Sequence, residues 1–171
     1  MTKAAISRRI PLPAFVLGLA GLLPFALGAI LAVSPETGGS LGFSANQPNS
    51  ENPNAAPASE ATFVLAAYAA VILSFLGGVR WGALLSDAIQ LDAWGPLSLS
   101  VVPSLIAWPA LLLSEPARLS VLIIGFVFQY FLDARAVSEQ ELPAWFGKLR
   151  LVLTCGAVLC LGIGMLGFLV S

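Results

Sequence analysis

From residue 10 to residue 33 the chain carries no charged side chain at all. At ~1.5 Å per residue, a helix of that length covers the ~30 Å hydrocarbon core of a bilayer. In lipid every backbone N–H and C=O must find its partner inside the protein, and a helix supplies those partners within the segment itself. Four further apolar runs follow, at 61–85, 95–113, 117–132 and 151–170. Hydrophobic residues make up 58% of the 171 positions and charged residues 10%, whereas an ordinary soluble domain is about one quarter charged. Mean hydropathy is +0.91. The expectation is an all-α, polytopic membrane bundle of about five transmembrane helices, forming a single membrane domain over residues 1–171. No hydrophilic block is long enough for a separate soluble catalytic domain.

The first run exceeds the ~7–15 apolar residues of a secretory signal, so a retained helix is expected. Pro24 lies in its middle and removes the hydrogen bond to the carbonyl of Ala20, which predicts a kink there, with Gly21 and Gly28 admitting close neighbours. Residues 34–60 are rich in Asn, Pro, Ser, Ala and Gly and hold no Lys or Arg, which predicts a flexible loop. Asp87 and Asp92 mark a short polar turn. Pro96, Pro103 and Pro109 predict an irregular third span. Asp133 is expected to close the fourth span, and the mixed-charge stretch from there to Arg150, with Trp145 and Phe146, to lie at headgroup level.

Threading five spans puts Lys3, Arg8, Arg9, Arg80, Arg135, Lys148 and Arg150 on the amino-terminal side, and Arg118 alone opposite. By the positive-inside rule the amino terminus is cytoplasmic, and the carboxyl terminus and the 34–60 loop are periplasmic or the equivalent.

Several function classes are disfavoured. A formal net charge of -1, without a basic cluster, argues against nucleic acid as a partner. There is no histidine and there are only two methionines, so a His-ligated haem or an imidazole-rich metal centre is not available from this chain, and no cofactor is expected. Cys155 and Cys160 both fall in the last run, on different helix faces. No carboxylate stands well inside a span, against an ion-coupled pump. No catalytic triad, carboxylate pair or phosphate-cradling loop can be assembled, so no enzyme is expected.

Ala70, Ser74, Gly78 and Gly82 recur every four residues in the second span, and Gly156, Cys160 and Gly164 repeat that spacing in the fifth; such small-residue stripes let helices pack closely. Arg80, near the inner end of span two, suits a snorkelling anchor beside Trp81. On the sharper reading it pairs with Asp133 at matched depth in span four, and Gln129, one turn before Asp133, completes a polar cluster.

Three segments carry a resemblance. Tyr68 with residues 73–82 resembles the Ser-Phe-Leu-Gly-Gly-x-(His or Arg)-Trp-Gly signature of the membrane family known as domain of unknown function 3429, in its arginine version at Arg80. Pro103 and Trp108 resemble its third helix, and Pro143, Trp145, Phe146, Leu149 and Arg150 with Thr154 resemble its lead-in to the last helix. The resemblance implies a small multi-helix inner-membrane protein of bacteria or mitochondria, of which the bacterial inner membrane is preferred here, and it brings no established activity. The reading that results is a non-enzymatic accessory or assembly subunit, in contact with the lipid bilayer and with other integral membrane proteins. The alternative is a small carrier or lipid- or solute-binding protein that uses a broken third helix and a pocket near Arg80 and Asp133.

Overall fold

The structure, a computed structural model, describes residues 9–34, 55–85 and 94–170. Among them, helical segments follow one another as α1 (Leu12–Ala20), α2 (Leu23–Val33), α3 (Ala55–Leu85), α4 (Trp94–Ala110), α5 (Ala117–Ser138) and α6 (Ala144–Val170), with no strand among the described residues. Most of the loop expected over 34–60, and the turn bearing Asp87 and Asp92, lie outside the described residues. Segments α1 and α2 are one rod interrupted at Gly21 and Leu22, so the described residues form five rods. Four of them, Leu12–Val33, Glu60–Leu85, Ala117–Ser138 and Ala144–Gly167, are long and apolar enough to cross a membrane. The 17 residues of α4 rise ~26 Å, a few ångströms short of the ~30 Å core.

The boundaries differ from the sequence expectation for local reasons. The first rod breaks one turn before Pro24, which then sits in the first turn of α2, where a missing N–H costs nothing. α3 starts six residues early, at Ala55, with Pro57 likewise in its first turn. α4 is one helix despite Pro103 and Pro109 inside it, so the broken third helix is not observed. It ends at Ala110, and the N–H groups of Leu111, Leu112 and Leu113 donate to carbonyls three residues back, a tightened last turn. α5 continues past Asp133 to Ser138 and α6 begins at Ala144, so the stretch expected at headgroup level is largely helical.

A compact turn joins those last two rods. Gln140 adopts φ 62°, and the N–H groups of Gln140 and Glu141 donate to the carbonyls of Val137 and Ala136 at 3.2 and 2.9 Å. This pair of bonds is the Schellman arrangement, which ends a helix and reverses the chain. It brings the first two turns of α6 back alongside the last two of α5. At the opposite end of the bundle, Arg118 pairs with Glu115 at 2.7 Å and lies 5.0 Å from the centroid of the Phe63 ring.

α3 is the hub and packs against α2, α4, α5 and α6. Its buried face runs through Leu65, Ala66, Ala69, Ala70, Leu73, Leu76, Gly77 and Arg80, residues that recur three or four apart along one face of a 3.6-residue helix. Helices gain little from burying oil in oil, so close packing has to hold them together. Gly77 shows how close: a Cβ there would run into the backbone carbonyl of Ser100 on α4. Phe25 packs edge-on against Tyr68 and Phe126, centroids 5.0 and 5.8 Å away, and joins α2 to α3 and α5.

Gly77→Ala should therefore lower the melting temperature of the detergent-purified protein, by the ~1–3 kcal/mol typical of an overpacked contact. Gly78→Ala meets nothing within 4 Å and should melt at or slightly above the wild-type temperature. Equal melting of the two variants rejects the close α3–α4 approach.

Candidate functional site

Three rods each bring polar side chains to one level of the bundle. Arg80 stands five residues before the end of α3, Asp133 five residues before the end of α5, and Arg150 six residues after the start of α6. Each is thus ~8–9 Å in from the same end of the bundle. All are buried: Arg80 is 9% exposed, Asp133 2% and Arg150 4%, with Gln129 fully enclosed.

Asp133 is the centre. Its Oδ2 accepts from Arg150 Nε at 2.7 Å and its Oδ1 accepts from Gln129 Nε2 at 2.9 Å. Arg80 Nη1 stands 4.0 Å from Oδ1 and donates instead to the carbonyl of Leu132 at 2.7 Å. A buried carboxylate is tolerable when charge-assisted hydrogen bonds replace its water, and Asp133 has one on each oxygen. The arrangement ties α3, α5 and α6 together.

The expected Arg80–Asp133 pairing is thus present as the longer contact, and the short one goes to Arg150. The Gln129 bond follows from the i,i+4 spacing. Trp81 is 41% exposed, unlike the buried members of the cluster. In sequence, Arg150 falls just outside the apolar run at 151–170, where a charge marks the boundary of a span. Its signal was already present in the Leu149-Arg150 and Thr154 segment of the family-like motif.

The small-residue stripes divide. In α6, a Cβ on Gly156 would come within 2.7 Å of Leu22 Cδ1, and one on Gly164 within 2.7 Å of Leu65 Cδ2. Cys160 packs at the edge of the core between them, and Cys155 is exposed. That stripe is spent on α2 and α3. In α3, Ala70 is in the core and Ser74 half-buried, but Gly78 and Gly82 lie on the outside, open to 4 Å. Steps of four residues advance ~40° each, so Gly82 is turned ~120° away from Ala70, and the contact passes through Gly77.

A cavity of about 150 Å³ adjoins the cluster where the first rod breaks. Its walls include Leu22 and Phe25 of the first rod, Phe75 of α3, Phe126 of α5, and Arg150 and Thr154 of α6. At the break the Tyr68 hydroxyl donates to the Gly21 carbonyl at 2.9 Å.

Long apolar helices with large lipid-facing side chains, tied by ion pairs buried away from solvent, define a helical integral membrane protein. The chain belongs to the family described as "Protein of unknown function (DUF3429)", which matches residues 10–166. It is similar to Transmembrane protein 69 of Xenopus tropicalis, with 36% identity over 156 residues, 88% of this chain and 53% of that protein. To Transmembrane protein 69 of Mus musculus the identity is 30% over 145 residues, 84% of this chain and 51% of that protein. The chain spans about half the length of these curated relatives. No solved structure matches it.

Removing one member of a buried ion pair strands the other charge, at a cost of about 3–5 kcal/mol. Asp133→Leu and Arg150→Met should each destabilise the bundle by that order, and Arg80→Met by clearly less. Thermal melting in detergent checks this ranking, and a larger loss for Arg80→Met than for Arg150→Met contradicts it.

Proposed function

We propose that the protein is a non-enzymatic membrane protein that holds a small amphipathic molecule in the cavity beside the Asp133 cluster. The observation that carries this reading is the cavity itself. It lies where a broken helix, the Arg150 and Thr154 side chains and aromatic rings meet in an otherwise apolar lining, and irregular membrane backbone is tolerated where it lines such a space. Native mass spectrometry from mild detergent should detect the chain with a small-molecule adduct. Leu153→Trp, which fills the cavity from a half-buried wall position, should lose that adduct; an adduct-free wild-type spectrum removes the reading.

A second reading, an accessory or assembly subunit beside larger membrane proteins, is favoured by the outward Gly78 and Gly82. In the same spectra it requires a co-purifying protein that Gly82→Leu displaces.

The membrane we infer is the inner membrane, bacterial in preference to mitochondrial, with the amino terminus in the cytoplasm. Seven of the eight cations on the amino-terminal side support that orientation. Alkaline phosphatase fused after Ser171 should then be active and a green fluorescent protein at the same site dark. The opposite pattern inverts the topology.

A further inference from the structure

Arg150 and Thr154 decide what kind of head group the cavity accepts. Both line it. The Arg150 side chain is 5% exposed and Thr154 is 6% exposed, yet Arg150 Nη2 and Thr154 Oγ1 find no hydrogen-bond partner among the described residues. Arg150 commits its Nε to Asp133, and a guanidinium has further donors to place. Residues four apart lie on the same helix face, ~6 Å along the axis, so the two free donors can converge on one acceptor group.

Charge makes that acceptor an anion. The ion pairs around Asp133 set two arginines, Arg80 and Arg150, against a single carboxylate. A buried excess of positive charge is unfavourable in a membrane, and an oxyanion beside Arg150 offsets it. A neutral or cationic head would not.

The rest of the wall calls for a hydrocarbon tail. From Arg150 to Ala157 the cavity follows α6 for ~10 Å toward the middle of the span, past Leu22, Phe25 and Phe126. Leu17 and Phe75 line it although they are 72% and 65% exposed, so its mouth opens on the lipid-facing surface. With a head near the end of the bundle and a tail pointing inward, an occupant takes the orientation of the lipids around it. The volume of about 150 Å³ is about five times the share of one water molecule, which accommodates a bare oxyanion and the first methylenes, with the remaining chain in the mouth.

We propose that this cavity is a binding site for an anionic, acyl-tailed amphiphile whose single oxyanion, a carboxylate or a phosphate monoester, is held by Arg150 Nη2 and Thr154 Oγ1. This assignment rests on the pocket reading above and adds the chemical class of the occupant. The amphiphile is a free fatty acid or a lipid with a bare phosphate head, and the two share the same recognition chemistry.

The full chain in neutral detergent is titrated with radiolabelled hexadecanoate, phosphatidate, hexadecanol and inorganic phosphate. At least one of the two tailed anions should bind once per chain and roughly tenfold or more tighter than hexadecanol, the effect of about one charge-assisted hydrogen bond. The tighter of the two identifies the source. Thr154→Val, which leaves the Arg150–Asp133 pair intact, should weaken that binding several-fold at unchanged melting temperature. Asp133→Asn combined with Arg150→Gln, which neutralises both partners together, should erase the preference for anion over alcohol. Equal binding of hexadecanol and both anions overturns the oxyanion assignment while leaving the pocket reading intact. Failure of every tailed probe to bind a natively melting protein overturns both. Displacement of hexadecanoate by millimolar inorganic phosphate overturns the requirement for a tail, and an unaltered affinity in Thr154→Val overturns the two-donor geometry.

Discussion

A carboxylate withdrawn from water organises one end of this bundle. Asp133 has no solvent to support its charge, so Arg150 and Gln129 supply donors to its two oxygens and Arg80 approaches from a third helix. Between apolar helices in lipid there is little hydrophobic force to align one rod with the next. A buried, charge-assisted contact has a strict distance and direction, so it can select one register of α3, α5 and α6 among many that pack about equally well. The reversal through Gln140 makes that register reachable, because a longer or looser connection would let α6 slide along α5.

The rest of the bundle answers to shape. Where Gly77 meets the Ser100 carbonyl, and where Gly156 and Gly164 meet Leu22 and Leu65, small residues let rods approach closely. Around the break at Gly21 and Leu22 the first rod departs from straightness, and the Tyr68 hydroxyl and the Phe25 ring keep it there. Space beside such a break is not filled by regular packing, and the cavity occupies that space. The polar cluster and the cavity therefore share Arg150, with Thr154 one turn further along α6 on the cavity wall.

Arg80, Gln129 and Asp133 could be grouped from sequence because depth along a helix is simple arithmetic from span boundaries, and helical periodicity puts Gln129 and Asp133 on one face. Arg150 could not, because hydropathy treats every charge as if it were unpaired. A lone arginine does belong at a membrane edge, but a partnered one can be carried into the helix, and its partner lies seventeen positions away in sequence, beyond a chain reversal. The α3 stripe misses the true contact by one residue for a related reason. Four-residue spacing stays on a single face for only two or three steps before the 3.6-residue turn carries it away, so Gly77, off the pattern, makes the contact that Gly82, on the pattern, does not.

The amino-acid sequence by itself determined the lipid-soluble class, the all-helical content, the approximate number and order of the rods and the polar character of the cluster, because each depends on local composition and on the obligation of backbone groups to bond within a helix. Which arginine makes the short bond to Asp133, which glycines touch a neighbour and whether a cavity remains beside the first rod were decided only by tertiary structure. Those depend on the rotation and offset of one rod against another, and no property of a single segment contains that information.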